Sequence, residues 1–522
     1  MNRSSLRRGA YAVAVAMSLA LIAGCGGGPT AAAASGQPVA GGTLTIGAET
    51  QPTEGLDPQV DQTYAAQNLI SKLYEGLLSL DDNANIKPGL AEKYEQVNPT
   101  TYRFTLRPGV TFHDGSALTA EDVVFSLERM VSPGLTSPFK KMYKIKSAKA
   151  VDAQTVELTL TQPQPSLLNL LARPWSGAIM SKKWVTSTAP DKIKTSENGT
   201  GPFTLKEWKD GVSITLGKYA GYWDKPKPYL DTVVYRLIPD ESSRVAALRS
   251  NAIQMTTFRD PRVAKDAQNA GATMGKGKRA SSYWIGMNAK TGPLADERVR
   301  QAVNLAIDRK AIIKASGNPD AGLGYIIPPG DPYGATPADN DPAYMQDQAK
   351  ARQLLAEAGQ PKVSLTLMAA SDASYAVEVS MLELVKAQLA EVGIDLTLQL
   401  TPFATMLPKL LNGEWPDMVT LASVLNADPS QYVNTWFAQG SPMTHVNDQH
   451  LWDLMAKADA TTDLTQRKAL YAEISKYVAE KVYVLVPVAR PVRMEAWTSA
   501  VGGYAVDATA TQLNLKNTWV AK

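Results

Sequence analysis

The sequence predicts an α/β protein built from layers of strands and helices. Three observations carry this reading. Some short segments alternate apolar and polar residues with a period of two. Others carry apolar stripes at helical spacing. The two kinds follow one another through short connections. Leu44 and Ile46 alternate with threonines, so residues 43–48 read as a strand. Tyr102, Phe104 and Leu106 alternate with Arg103, Thr105 and Arg107, a half-buried strand stopped by Pro108-Gly109. Thr119-Ala120-Glu121-Asp122 opens a helix with a capping-box pattern ahead of Val123, Val124, Phe125 and Leu127. Val156, Leu158 and Leu160 give another strand, ended by Pro163. Met381, Leu382, Val385, Leu389 and Val392 form a helical stripe that stops at Gly393, and a strand follows at once through Ile394, Leu396, Leu398 and Leu400. Leu470, Tyr471, Ile474, Tyr477 and Val478 make a further helix. No internal repeat and no long linker is read after residue 40, so the domains are expected to pack together.

Composition narrows the class. The chain has 522 residues, 53 Lys plus Arg, 50 Asp plus Glu and one cysteine. One cysteine forms neither an intramolecular disulfide nor a cysteine-based zinc cluster. Arg3, Arg7 and Arg8 are the charged residues of the first 24, so the rest of the chain is balanced in charge. That argues against a nucleic-acid binder or a polybasic membrane-surface protein. Apolar residues make up 44% and charged residues 20%, an ordinary globular balance that can support roughly two to four domains.

The N-terminus reads as an address. Ala10 to Ala23 is an apolar run interrupted by Tyr11 and Ser18, short for a membrane span and typical of a signal-peptide core. It ends in Leu21-Ile22-Ala23-Gly24-Cys25, which resembles a bacterial lipobox whose cysteine receives lipid. The alternative is an ordinary secretory signal with a chance cysteine. The position of the sole cysteine at the end of the apolar core favours the lipobox. Residues 1–24 are therefore expected to be a signal peptide and 25–40, rich in Gly, Ala, Ser and Pro, a flexible tether. The folded part is expected outside the cytoplasm, held to the membrane by lipid alone.

Enzymatic signatures are sparse. His113, His445 and His450 are the three histidines, and the last two are five apart, which does not place two ligands on one helical face. All three read as surface or structural residues. G-x-S-x-G, Walker A and G-x-G-x-x-G patterns are absent. Lys276-Gly277-Lys278-Arg279 reads as a solvated basic stretch. Ser137-Pro138-Phe139-Lys140, Ser196-Glu197-Asn198 and Lys290-Thr291-Gly292 occur in the order used by penicillin-reactive serine acyl-transfer enzymes. The last element precedes Pro293 and a helical stretch from Asp296, so it reads as a loop instead of the strand that chemistry needs. No metal site and no cofactor is expected.

A larger pattern runs through the body of the chain. Tyr74-Glu75-Gly76-Leu77-Leu78 is followed by Pro88-Gly89-Leu90-Ala91-Glu92, by Phe104-Thr105-Leu106-Arg107-Pro108-Gly109-Val110 and by Phe112-His113-Asp114-Gly115. Ala120 to Ser126, Gly199-Thr200-Gly201-Pro202-Phe203, Gly221-Tyr222-Trp223, Arg298 to Ala302, Ile326 to Pro329 and Lys350 to Gly359 continue it. In that order, these segments resemble family 5 of the extracytoplasmic solute-binding proteins, the binding lipoproteins of peptide/nickel-type ABC importers. The resemblance implies a bilobal, periplasmic-binding-protein-like α/β fold. Lobe I would span about 41–283 and take back 490–522, and lobe II would span 284–489. Hinge strands would join them, and a ligand would sit in the cleft. It further implies a monomer that traps a solute by hinge closure and delivers it to permease subunits served by a separate ATPase. A ligand-sensing lipoprotein without a transport role is the other binding reading.

The resemblance also suggests where the ligand is held, and the chain departs from it there. Peptide-binding members hold the ligand's amine with an acid shortly before an Asp/Glu-Pro pair. Aligning on Asp428-Pro429 puts Leu425 at that position, beside Asn426. Dipeptide binders hold the carboxylate with an arginine. Counting back from Gly393 puts Asp372 there. Leucine cannot pair with an ammonium group, and an aspartate repels a carboxylate. The ligand is thus expected not to be a dipeptide held by its termini; a sugar, a cationic or aromatic solute, or an oligopeptide fits better. Phe403 falls where the family has an aromatic cleft residue. Tyr64, Trp284 and Trp436 could add flat surfaces, Asp372 could pair with a cation, and Thr200 lies in a glycine-bracketed loop placed near the cleft in the family. Blander readings stand beside these: Phe403 as core, Trp436 as the anchor of its helix, Asp372 as the cap of a helix starting near Ser374, and Gly199 and Gly201 as a tight turn.

Overall fold

The computed structural model describes residues 37–521, apart from 62, 82–84, 136, 138–139, 276–280, 373–375, 425–427, 491–492 and 507–512. Cys25, Leu425 and Asn426 therefore lie outside the described residues, as does the signal segment.

The chain begins with β1 (Thr43–Ala48) and α1 (Tyr64–Leu73). Next come β2 (Ala91–Asn98), β3 (Thr101–Leu106), α2 (Ala120–Val131), β4 (Ile145–Ala150) and β5 (Thr155–Leu160). The four strands make an antiparallel sheet in the order β2-β3-β5-β4. Tyr102, Phe104 and Leu106 are buried on one face of β3, and Val156, Leu158 and Leu160 are their counterparts on β5. Strict alternation gave the correct face because the pleat repeats every second residue. At the start of α2, the Asp122 carboxylate accepts from both the backbone N–H and the hydroxyl of Thr119, at 3.0 and 2.7 Å.

Strands β6 (Phe203–Lys209), β7 (Ser213–Lys218), β8 (Thr232–Leu237), β9 (Met255–Phe258) and β10 (Thr273–Met274) follow. The chain then enters a second sheet through β11 (Ser281–Met287) and β12 (Val363–Ala370). It continues as α3 (Ala376–Ala390), β13 (Ile394–Thr401), α4 (Phe403–Leu411), β14 (Met418–Val424), α5 (Pro429–Phe437), α6 (Leu464–Glu480) and β15 (Val484–Arg490), and returns to the first sheet as β16 (Met494–Trp497). Gly393, between α3 and β13, has φ 93°, and a Cβ there would lie 2.7 Å from the Pro361 carbonyl. That backbone favours glycine, which explains the sharp helix stop.

The first large sheet has seven strands in the order β10-β16-β9-β1-β8-β7-β6, with β1 parallel to β8 and β9. The second has five in the order β13-β12-β14-β11-β15, with β12 parallel to β13 and β14. The cores separate in the same way. One apolar cluster joins Leu44, Phe104, Leu158, Phe203, Val233 and Trp497. Two others are built within 283–488, around Ile285, Leu367 and Val385 and around Trp284, Met406 and Tyr471. The molecule is thus bilobal: lobe I holds the seven- and four-stranded sheets, lobe II the five-stranded sheet.

The registers fix how the lobes meet. Met494 pairs with Phe258, so β16 enters lobe I at the carboxyl end of β9. Strand β10 runs antiparallel to β16 and leaves at that same end. In lobe II, Ser281 pairs with both Val424 and Arg490. Both passages, 275–280 and 491–493, therefore join the carboxyl-end edges of the two sheets.

Candidate cleft between the lobes

In open α/β sheets, ligands bind beyond the carboxyl ends of parallel strands, where connections diverge and leave a crevice. Here those ends lie beside the two passages in both lobes, and the side chains there define the site.

Lobe I contributes Glu49 just after β1, Arg259 just after β9, Arg493 just before β16, and Tyr64 at the start of α1. The Arg259 Nε lies 3.3 and 3.4 Å from the two Glu49 carboxylate oxygens, and the Arg493 Nη2 lies 3.3 Å from one of them. The Arg493 guanidinium also stacks 3.6 Å from the centre of the Tyr64 ring. Burial pushes the Glu49 carboxyl up, but Arg259 and Arg493 outweigh it and hold it below its ordinary range. Burial lowers Arg493, and the neighbouring Arg259 adds to this. Burial raises the Tyr64 phenol. Glu49 and Tyr64 line a small cavity of about 40 Å³.

Lobe II contributes Asp372 beyond β12 and Phe403 beyond β13. Asp372 is exposed, and its carboxylate accepts from the Phe403 backbone N–H at 2.7 Å. It thereby caps the first turn of α4; residues 373–375, where the expected helix start near Ser374 falls, lie outside the described residues. Phe403 is half-buried against the lobe II core. Glu378 on α3 pairs with Arg490 at the end of β15. Asp428, the cap of α5, is fully buried. Its two oxygens accept from the two terminal nitrogens of Arg467 at 2.5 and 2.7 Å. Burial works against the charge of Arg467, yet the bidentate partner holds it above its ordinary value.

Between the lobes lies a cavity of about 530 Å³, within the range of small-ligand sites. Lobe I gives it Lys144, Gln162 and Gln164; lobe II gives it Gln431 and Asn434 on α5, together with Asp459. Burial raises the Asp459 carboxyl, which accepts from Asn434 at 2.6 Å.

Four expected contacts are corrected. Trp284 is 2% exposed, and its ring meets that of Trp436 edge-on at 4.3 Å inside the lobe II core. Neither offers a free face, because both fill the space behind the five-stranded sheet. Thr200 is 1% exposed and donates to the half-buried Glu75, 3.2 Å away within lobe I. Its loop is glycine-bracketed because it crosses the end of α1: a Cβ at Gly199 would lie 1.9 Å from the Leu73 carbonyl. Asp428 is committed to Arg467. Tyr64, Asp372 and Phe403 do lie at the strand ends. Sequence reasoning missed Glu49, Arg259, Arg493, Glu378 and Arg490. Glu49 was within reach, since the end of β1 was legible and the strand-end rule points to the next residue.

The elements of the penicillin-reactive pattern do not converge. Ser196 lies in lobe I and donates to the Lys192 carbonyl, whereas Lys290–Gly292 lie in lobe II beyond β11. Among the described residues, no cluster of three His, Cys, Asp or Glu side chains could hold a metal, and no helix is long and apolar enough to cross a membrane.

Known proteins share this architecture. The model of a family described as bacterial extracellular solute-binding proteins, family 5 Middle, matches residues 85–443. The chain is 31% identical over 507 residues to the dipeptide-binding protein of Escherichia coli (strain K12), across 89% of this chain and 92% of that one. It is 33% identical over 348 residues to the glutathione-binding protein GsiB of Salmonella typhi, 65% of this chain and 66% of that one. Among solved structures, the binding protein AgaA of A. tumefacien R10, in complex with agropinic acid, is 28% identical with a TM-score of 0.76, across 92% of this chain and 99% of that one.

Proposed function

The chain belongs to the family 5 bacterial extracellular solute-binding proteins, and on that premise we propose that it is the lipid-anchored receptor of an ABC importer, closing its lobes on a small polar solute. The observation that carries this is the register: both passages join the carboxyl-end edges of the two sheets, and a 530 Å³ cavity is lined by residues of both lobes. A solute bridging the two edges makes its full set of contacts only when the lobes approach, so binding shifts the population toward the closed form. We place the lobe division at 275–280 and 491–493, a few residues from the boundaries expected at 283/284 and 489/490. Cys25 is the proposed lipid attachment, the protein acts as a monomer, and it delivers its solute to permease subunits without converting it.

The ligand belongs to the same broad chemistry as those of the relatives, which are named for a dipeptide and for glutathione or were solved with agropinic acid. Leu425 and Asp372 stand against a dipeptide held by its termini in the family manner. Thermal unfolding of the purified protein against peptides, sugar acids, neutral sugars, polyamines and metal chelates tests the reading. A solute well above its dissociation constant raises the midpoint, because it stabilises only the folded form. Phe403→Ala and Gln431→Ala should weaken that shift. A bound solute indifferent to both substitutions would sink the cleft.

A further inference from the structure

We propose that Arg493 and Arg259, gathered around Glu49 at the lobe I edge of the cleft, form a subsite for an acidic group of the solute, a carboxylate or similar oxyanion. This rests on the cleft reading above and names the chemistry the cleft selects.

Two guanidinium groups share one carboxylate here, which leaves the trio with one positive charge. The contacts are long. Arg259 and Arg493 approach Glu49 at 3.3–3.4 Å, whereas a charge-assisted N–H···O bond settles at about 2.7–2.9 Å. The other charged groups nearby have their own partners. Glu241 accepts from the backbone N–H groups of Arg259 and Asp260 and from Arg244. Arg244 also donates to the carbonyls of Ile238 and Pro239. Glu495 accepts from the Tyr504 hydroxyl at 2.6 Å.

Arg493 carries the inference furthest. Its side chain is 9% exposed, yet its Nε is shut from solvent and finds no hydrogen-bond partner among the described residues. A buried donor of a cation left unmade is costly, and such groups are normally satisfied. The guanidinium carbon lies 3.6 Å from the centre of the Tyr64 ring. That contact holds the group in place over the ring, and a guanidinium so held can offer its N–H groups to a planar acid. An oxyanion arriving at this edge would take the Nε and balance the extra charge. At the opposite edge, Asp372 holds the N-terminus of α4 and Glu378 pairs with Arg490.

Matched pairs differing in one acid group test this: gluconate and glucose, glutathione and its dimethyl ester, Ala-Ala and its C-terminal amide. Calorimetric titration of the full protein should show the acid of at least one pair binding about tenfold or more tighter than its neutral partner. Arg493→Gln should bring that ratio toward one, chiefly by weakening the acid, and Arg259→Gln should shrink it. Arg493→Lys, which keeps the charge but lacks the Nε, should fall between and serves if the glutamine variant folds poorly. The pair that responds tells a sugar acid from a peptide carboxylate. Equal binding of acid and neutral partners, a ratio that survives Arg493→Gln, or no binding by any acid overturns the subsite. A solute that ignores Arg493→Gln but is weakened by Phe403→Ala and Gln431→Ala breaks the subsite and keeps the cleft. A solute indifferent to all three breaks both.

Discussion

The two edges of the cleft use charge in opposite ways. At the lobe II edge, Asp428 and Arg467 close on each other in two parallel bonds, both fully buried, and Tyr333 and Tyr471 add their hydroxyls at 3.1 and 3.2 Å. At the lobe I edge, Glu49 is stretched between two arginines and one guanidinium nitrogen is left unmet. A bidentate pair exhausts the groups that could recognise anything else, so it serves the fold. A shared, long-range trio keeps donors in reserve, so it suits recognition. Asp428, the acid that anchors the family alignment beside its proline, is thus engaged inside the protein and not by a ligand.

The largest expected effect tests the closed pair. Arg467→Met strands a buried Asp428 and should cost about 3–5 kcal/mol in urea unfolding. Asp428→Asn combined with Arg467→Met should recover much of it, because a neutral amide needs no counter-charge. The preference for acids over neutral partners should survive both. If the single variant unfolds at the wild-type midpoint, the pair is not what holds α5 to α6. Next comes the aromatic pair of the lobe II core. Trp436→Phe removes the edge contact with Trp284 and part of the buried ring, and should cost about 1–3 kcal/mol. Solute affinity should change little. A large loss of affinity with unchanged stability would restore Trp436 to the cleft.

How much of this was legible follows from what each residue's role depends on. Strands β1, β3, β5 and β13 and helices α2 and α6 were readable because burial repeats along the chain itself, with a period of two or 3.6. Gly393 was readable as a stop because a positive φ leaves a local signature. Trp284 and Trp436 were not readable as a pair: they are brought together by β11 and α5, far apart in sequence, and an indole in a core looks the same in a string as one in a cleft. Arg259, Arg493 and Glu49 are likewise collected from three distant segments. Only the strand order reveals that those segments end at the same edge. Thr200 misled because two glycines signal close backbone approach without saying to what.

Glu49→Gln should have the smallest effect on stability and the most informative sign. Because Glu49 is held below the ordinary carboxylate range by Arg259 and Arg493, the unfolded chain takes up the proton first as the solution is acidified. The stabilisation from Glu49 is therefore complete above its unfolded pKa, about 4.3, and is lost as pH falls through the folded value. Glutamine does not titrate, so the variant should be less stable than wild type at neutral pH, with the gap closing toward acid. Affinity should move the other way. Without Glu49 to share, both guanidinium groups face the incoming oxyanion, and acids should bind several-fold tighter to Glu49→Gln than to wild type, while neutral partners stay put. Lower stability with higher acid affinity from one substitution is the signature of a carboxylate that occupies a ligand's place. If acid affinity falls instead, Glu49 is itself the contact, the lobe I edge recognises a cation, and the two edges of the cleft differ less than their geometry implies.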